Sequence, residues 1–145
     1  MGLDMYLTLN AGVRHPEQQE LVQGAMGNFY ASLKRIKKIS FEAAYWRKAN
    51  QIHKWFVDNV QDGVDDCNRY YVSHEQLETL LALCREVQGD SSKAYQLLPP
   101  ASGFFFGTQE IDDGYWYDIQ ITIDQLTNAL SAAGEYDYFE YQASW

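Results

Sequence analysis

Hydrophobic and polar residues alternate at both ends of the chain. A period of two places every second side chain on one face of a β-strand, so the pattern predicts strands that are buried on one face only. The predicted buried faces consist of Leu3, Met5, Leu7 and Leu9 at the N-terminus and of Phe139, Tyr141, Ala143 and Trp145 at the C-terminus. We expect these two strands to pair in a small sheet.

Between residues 16 and 37 the pattern is less regular. Apolar residues recur every three or four positions, which indicates a helix, and Pro16 suits its first turn. Gly24 and Gly27 each cost a helix about 1 kcal/mol relative to alanine. A helix is the first prediction for this segment, and a strand over residues 28–33 is the alternative.

The strongest helical pattern runs from Ser40 to Gln61. At 100° per residue, a helix over these residues has one apolar side, with Trp46, His53 and Val57 at its margins. The centre of that side consists of Tyr45, Ala49, Ile52, Phe56 and Val60. The sequence therefore predicts one helix over residues 40–61, with Trp55 projecting near the polar side.

Two further helices follow. Ser73 with Gln76 three residues later is a capping box, which predicts a helix start. Its buried stripe consists of Leu77, Leu80, Leu81, Cys84 and Val87. The next helix is predicted over residues 117–132, with Ile119, Ile123, Leu126 and Leu130 facing inward. Between them, the GFFFG segment (103–107) is predicted to be a short strand or a buried loop.

These elements predict an α+β fold. The chain has 145 residues, the length of one ordinary domain, and it contains no linker, repeat or low-complexity block. We expect a single domain over residues 1–145, with three or four helices packed on a small sheet that includes both terminal strands. No apolar run reaches the ~18 residues of a membrane span.

Charge is distributed unevenly. Residues 1–50 hold seven Lys and Arg against four acids, whereas residues 94–145 hold eight acids and neither Lys nor Arg. That C-terminal segment also carries twelve of the twenty-two aromatic residues. Direct binding to nucleic acid is not expected there, because phosphate contacts need cations. The composition favours a basic partner surface, although an acidic surface also serves solubility alone.

Candidate catalytic residues are few. His53 lies within an apolar arc, which favours a neutral, hydrogen-bonded core histidine over a general base. Cys67 stands beside two aspartates, which disfavour its thiolate, and Cys84 lies on a leucine stripe. Two cysteines are too few for a disulfide framework and fit reduced thiols in a cytoplasm. The acidic clusters lack the spacing of a calcium loop, so neither a metal nor a cofactor is expected.

Two sets of residues remain as candidate sites. The first would bind a partner protein through exposed aromatic and acidic side chains, and it consists of Trp55, Asp112, Asp113, Tyr115, Trp116 and Tyr117. The second would bind a small ligand such as a nucleotide, with Arg and Lys holding phosphate, and it consists of Tyr45, Arg47, Lys48, His53, Asp65 and Tyr71. Burial of the aromatic residues is the competing interpretation of the first set.

Several segments of the chain resemble a family of small uncharacterised phage and prophage proteins. The resemblance covers about residues 1–9 and 35–145, and the region around residues 11–34 is an insert that varies among relatives. The shared motifs are MGLDMYL, YWRKANQIHKWFVDNVQDGVDDC, YYVSHEQLETLL, LLPPASGFFFG and YQASW. Members are sometimes labelled phosphoglycerate kinase, an enzyme of two lobes with glycine-rich phosphate loops that this sequence does not contain.

Together these observations lead to two functional hypotheses. The resemblance implies a viral accessory protein in the host cytoplasm, and the acidic, aromatic segment suggests that it binds a basic or nucleic-acid-binding host protein, for example a component of a defence system. The alternative is a small enzyme or nucleotide-binding protein that uses the second set of residues. The sequence favours binding over catalysis and leaves the target and the oligomeric state open.

Overall fold

The two terminal strands lie side by side at the centre of a four-stranded antiparallel sheet. The computed structural model describes residues 2–27, 29–30, 32–103 and 106–145. The strands follow the order β2-β1-β4-β3, so that β1 pairs with β2 on one side and with β4 on the other. Their bounds are β1 Asp4–Gly12, β2 Lys38–Arg47, β3 Tyr70–Val72 and β4 Tyr138–Ser144. The predicted α+β class and the pairing of the terminal strands are confirmed.

The helices cover only one face of this sheet. Their bounds are α1 Pro16–Met26, α2 Asn50–Asn59, α3 His74–Gly89, α4 Ala94–Leu97 and α5 Asp113–Ala132, with a 3₁₀ turn over Ser91–Lys93. Leu3, Met5 and Leu7 on the covered face of β1 are fully buried, whereas Tyr6 on the opposite face is 36% exposed. None of the helices within the described residues combines the length and the apolar character needed to cross a bilayer.

Aromatic side chains join α2 to the sheet in the centre of the core. The ring of Phe56 stacks on the ring of Tyr141 from β4, with centroids 3.8 Å apart and planes nearly parallel. Trp46 from β2 is fully buried, and its indole Nε1–H donates to Thr122 Oγ1 on α5 at 2.8 Å. A buried indole N–H needs such an acceptor, and this bond fixes α5 against the strand.

The prediction of one helix over residues 40–61 is wrong in its first half. Residues 40–47 belong to β2, where Ala44 and Trp46 face the core while Tyr45 and Arg47 face outward. The same apolar spacing fits both periods over this short run, so local pattern could not separate them. Pairing with β1 decides the outcome, since a central strand requires a partner on each edge. The helix begins only at Asn50.

The segment after β1 forms a shorter helix than predicted. Residues 16–26 are helical as α1, and the described residues between 27 and 37 form turns and irregular chain. The alternative strand over residues 28–33 includes Asn28 and Ala31, which lie outside the described residues; residues 29, 30, 32 and 33 form turns. Two phenylalanines of the GFFFG segment, Phe104 and Phe105, also lie outside the described residues.

The helices α3 and α5 follow their sequence patterns closely. Ser73 Oγ accepts from the backbone N–H of Gln76 at 3.0 Å, which confirms the predicted capping box. All five residues of the predicted α3 stripe are buried. Helix α5 begins four residues earlier than predicted, because the Asp112 carboxylate caps it by accepting from the N–H of Tyr115 at 3.1 Å.

Candidate functional site

Residues from both predicted sets meet in one cleft. It lies where the end of β2 and the start of α2 approach the start of α5, and it has a volume of about 310 Å³. Arg47 and Lys48 from the predicted ligand set line it together with Asp112, Tyr115 and Tyr117 from the predicted partner set. This convergence could not be predicted from the sequence, because more than sixty residues separate the two groups along the chain.

The backbone at Lys48 shapes one wall of the cleft. Lys48 has a φ of 60°, a left-handed conformation that is uncommon for a residue other than glycine. This turn separates β2 from α2, and the Lys48 N–H donates to the carbonyl of Leu3 at 2.8 Å. Gly107, with a φ of 85°, lies against the Lys48 side chain, so that even an added Cβ there would contact the Lys48 Cβ at 3.6 Å.

Asn50 holds the loop that closes the cleft. Its side-chain amide donates to the carbonyls of Phe106 at 3.0 Å and Thr108 at 2.8 Å, and its Oδ1 accepts from the N–H of Ala101 at 2.9 Å. The side chain is buried, and each bond replaces one that the loop backbone would otherwise make with water. Asn50 was not among the residues predicted from the sequence, and its only signal there is a polar residue at the start of an apolar helix.

The charged groups of the cleft are not paired with one another. Within the described residues, no carboxylate oxygen lies within 4.0 Å of the cationic groups of Arg47 or Lys48. Glu110, Asp112 and Asp118 line the same cleft. The cleft is therefore lined by two cationic and three acidic side chains that form no direct ion pair with one another.

Asp118 is the residue of the cleft with the most perturbed acidity. Burial raises the pKa of its carboxyl from 3.8 to about 6, and the nearby charge of Asp112 acts in the same direction. The Gln51 amide, 3.5 Å from Asp118 Oδ2, opposes the shift only weakly at that distance. A carboxyl group with a raised pKa in a cleft is a functional-site candidate. The sequence analysis did not select Asp118.

His53 forms a closed chain of hydrogen bonds away from this cleft. Its Nε2 lies 2.9 Å from Asp65 Oδ1, and its Nδ1 lies 2.7 Å from the hydroxyl of Tyr141. Because a carboxylate only accepts, Nε2–H donates to Asp65, and Nδ1 accepts from Tyr141. Burial lowers the pKa of His53, and its bond to Asp65 counteracts this in part.

This chain joins three elements rather than exposing a base. His53 belongs to α2, Tyr141 to β4 and Asp65 to the loop after α2. His53 is 1% exposed and Tyr141 is fully buried, so both ring nitrogens are occupied and neither faces a substrate. The structure agrees with the interpretation of a neutral core histidine, and Asp65 belongs to that same chain.

Tyr45 and Tyr71 lie on the uncovered face of the sheet. Tyr45 projects from β2, where its hydroxyl donates to Asp4 Oδ1 and its ring contacts Tyr6 with centroids 5.4 Å apart. Tyr71 projects from β3 and is 64% exposed. Residues of the predicted ligand set therefore occupy three places in the fold, namely the cleft, the His53 chain and this outer face.

The predicted aromatic partner surface is not one surface. Trp55 is 7% exposed within the core, and Tyr115 is 4% exposed with its hydroxyl donating to the carbonyl of Leu98 at 2.9 Å. Trp116 is half-buried, while Tyr117 and Asp113 are exposed. The assignment of Trp55 and Tyr115 as exposed anchors is corrected, because both side chains belong to the buried hydrophobic core.

The two cysteines lie in different environments. Cys84 is buried, which raises the pKa of its thiol to about 12, and Cys67 is exposed in a loop. Within residues 2–27, 29–30, 32–103 and 106–145, no three His, Cys, Asp or Glu side chains converge as a metal site would require.

No family model matches this chain, and neither a curated protein nor a solved structure matches it.

Proposed function

We propose that this chain is a binding protein without catalytic activity, and that it recognises a partner protein through the uncovered face of its sheet. In line with its resemblance to phage proteins, the partner would be a protein of the host cytoplasm, such as a component of a defence system. The observation that carries the proposal is a group of four tyrosines on that face, contributed by all four strands: Tyr6, Tyr45, Tyr71 and Tyr138.

The tyrosines are suited to recognition by their chemistry and their rigidity. Each is at least 36% exposed, and each belongs to a strand rather than to a loop. Tyrosine offers a large contact area with few rotatable bonds and a polar tip, which is the reason for its frequency in binding surfaces. Side chains on a hydrogen-bonded sheet lose little further entropy when a partner binds.

Polar contacts across the strands support the same face. Ser40 Oγ donates to Asn10 Oδ1 at 2.6 Å, and Asn10 Nδ2 donates to Glu140 Oε2 at 2.9 Å, so that one row of bonds crosses β2, β1 and β4. These bonds orient the Glu140 carboxylate on the face that also carries its cross-strand partner Tyr71 and, two residues earlier on β4, Tyr138. A fixed carboxylate beside tyrosine rings is a suitable environment for Lys or Arg.

The charge of the whole chain favours a basic partner. On the face itself the carboxylates of Asp4, Glu42 and Glu140 are balanced by Lys38, Arg47 and Arg69, whose Nε–H donates to Gln142 at 3.1 Å. The chain as a whole carries a net charge of -9, which would steer a basic protein toward it. The chain of His53 bonds adds further support for binding over catalysis, since it keeps the imidazole buried with both ring nitrogens hydrogen-bonded.

The proposal is tested by affinity capture from host lysate at low and high salt. The test variant is Tyr71→Ala with Tyr138→Ala, and the matched control is Tyr95→Ala, a residue 67% exposed on α4 rather than on the sheet. We expect the test variant to lose the captured protein and the control to keep it, because interface tyrosines contribute about 2 kcal/mol or more when they are central. High salt should weaken capture.

Two outcomes would contradict the proposal. Equal capture by the test variant and the wild type would show that the sheet face is not the binding surface. Failure of the wild type to retain any protein at low salt would remove its support altogether. Thermal unfolding of both variants checks that the exposed substitutions leave the fold intact.

A further inference from the structure

We propose that the cleft between Lys48 and Asp118 binds a small zwitterion, namely a molecule of the size and charge pattern of a free amino acid. The cationic wall would hold its carboxylate and the acidic wall its ammonium group. This site is separate from the tyrosine face, and the inference does not depend on the proposed function. Only Arg47 belongs to both regions, since it lies opposite Asp4 in the sheet and also lines the cleft.

The arrangement of opposite charges is the first argument. Arg47 and Lys48 lie at the end of β2, while Asp112 and Asp118 belong to the start of α5. Within the described residues none of these side chains forms an ion pair, so direct contacts of the protein do not neutralise their charges. A ligand that carries both charges would neutralise both walls at once, whereas an anion or a cation alone would leave one wall uncompensated.

The size of the cleft is the second argument. Its volume of about 310 Å³ lies at the lower end of the range for small-molecule sites. A nucleotide triphosphate would also present several negative charges to Glu110, Asp112 and Asp118, which would repel it. The charge pattern and the size together favour a small zwitterion over the nucleotide that the sequence suggested.

The rigidity of the walls is the third argument. Asn50 fixes the loop on one side by three hydrogen bonds, and the capping contact of Asp112 fixes the start of α5 on the other. The left-handed turn at Lys48 is a strained conformation that surrounding contacts maintain, and such conformations cluster at binding sites. Preformed walls reduce the entropy that a weakly held small ligand would have to offset.

The test uses three related probes and follows backbone amide signals by NMR titration at about pH 7.5, where both charges of a free amino acid are present. The probes are L-serine, N-acetyl-L-serine without the ammonium group, and L-serinamide without the carboxylate. We expect L-serine to bind with the highest affinity and to shift signals around residues 47–51 and 112–118. Each derivative should bind roughly 10- to 100-fold more weakly, because each loses one charged contact.

Variants assign each wall to one end of the ligand. Asp118→Asn should weaken L-serine binding roughly 10- to 100-fold without weakening that of N-acetyl-L-serine, because that probe has no ammonium group and is repelled by the carboxylate. Lys48→Asn should weaken L-serine binding without weakening that of L-serinamide, which has no carboxylate. Asparagine suits position 48 because it tolerates the left-handed region. The matched control is Asp124→Asn, an exposed residue farther along α5 that does not line the cleft.

Several outcomes would overturn the inference. Absence of any signal change with L-serine at millimolar concentration would do so, as would equal binding of all three probes. Equal weakening of L-serine binding by Asp118→Asn and the Asp124→Asn control would show a general charge effect. Binding of inorganic phosphate that is tighter than that of L-serine and insensitive to Asp118→Asn would indicate an anion site. None of these outcomes bears on the tyrosine face, which the capture experiment tests separately.

Discussion

Two regions of this molecule contain similar proportions of apolar residues but bury them to very different extents. The arm, defined as residues 13–27, 29–30 and 32–37, contains the helix α1, in which no residue is buried. Leu21 is 77% exposed and Phe29 is 90% exposed. The body, defined as the remaining described residues, contains the helix α2, in which six of ten residues are buried. Apolar periodicity alone therefore does not determine burial.

Local contacts maintain the arm. Gln18 Oε1 accepts from the N–H of His15 at 3.1 Å at the start of α1. Gln19 joins the helix to the end of the arm, because its Oε1 accepts from the N–H of Ile36 at 2.9 Å and its amide donates to the carbonyls of Val13 and Ile36. Hydrogen bonds of polar side chains thus hold α1 in place, whereas apolar packing holds α2.

An open apolar cleft accompanies this arrangement. It has a volume of about 650 Å³, and its lining includes Val22, Met26, Tyr30, Leu33 and Ile39. In the body the corresponding space between helix and sheet is filled, as by the stacked rings of Phe56 and Tyr141. The stability of this fold therefore resides in the body, whereas the arm contributes surface.

The largest effect is expected in the body. Phe56→Ala removes a fully buried ring that stacks on Tyr141, so we expect it to lower the free energy of unfolding by about 3–5 kcal/mol. The cost combines the lost transfer free energy with that of the cavity left behind. Urea denaturation followed by circular dichroism measures it. A loss below about 1 kcal/mol would contradict the assignment of this ring to the centre of the core.

An intermediate and pH-dependent effect is expected at His53. The amide of His53→Gln overlays the Nε2 position but leaves the Nδ1 position empty, so the bond to Tyr141 is lost and we expect a loss of about 1–3 kcal/mol at about pH 7.5. Because folding lowers the pKa of His53, the unfolded chain binds the proton more readily than the folded one. The stabilisation by neutral His53 is therefore complete above the unfolded pKa of about 6.5 and is lost as the pH falls below it.

The difference between wild type and His53→Gln should consequently narrow as the pH is lowered from about 7.5 to about 5. Comparison with the variant cancels the other titrating groups, notably Asp118, whose raised pKa acts in the opposite direction. Urea midpoints across this range measure the difference. A difference that is constant with pH, or that widens on acidification, would contradict the neutral, buried state of His53.

The smallest effect is expected in the arm. Phe29→Ala changes the same residue type as Phe56→Ala, but at a site that is 90% exposed. We expect its effect on the free energy of unfolding to remain within about 0.5 kcal/mol, as for most surface substitutions. The same urea denaturation serves as the measurement. A loss approaching that of Phe56→Ala would show that the arm belongs to the cooperative core, and the division between the two regions would fail.

Elements with one dominant pattern could be predicted from the sequence. The alternation in β1 and β4 has a period that only a strand satisfies, and the Ser73 capping box with its leucine stripe defines the start of α3 and its buried face. The apolar residues of segment 40–47 fit both a helical and a strand period. The segment becomes a strand because β1 needs a hydrogen-bonding partner on the edge that β4 does not cover, and this need cannot be inferred from residues 40–47 alone.

The candidate site was predictable only in part, for a related reason. The sequence indicated Arg47, Lys48, Asp112 and Tyr117 as chemically suitable, and it placed Tyr6 on the outer face of its strand. It missed Asn50 and Asp118, whose roles arise from groups distant in the chain. It also assigned Trp55 to a partly polar side, because helical period describes one helix in isolation and not the elements that pack around it.

Local sequence specifies the periodic elements, the α+β class and the separation of basic from acidic segments, because these depend on neighbouring residues. Long-range packing specifies which apolar faces are buried, which strand completes the sheet and which charged residues line one cleft. Those outcomes depend on contacts between residues far apart in the chain, such as Lys48 with Gly107 and His53 with Tyr141. No local pattern encodes the distance between them.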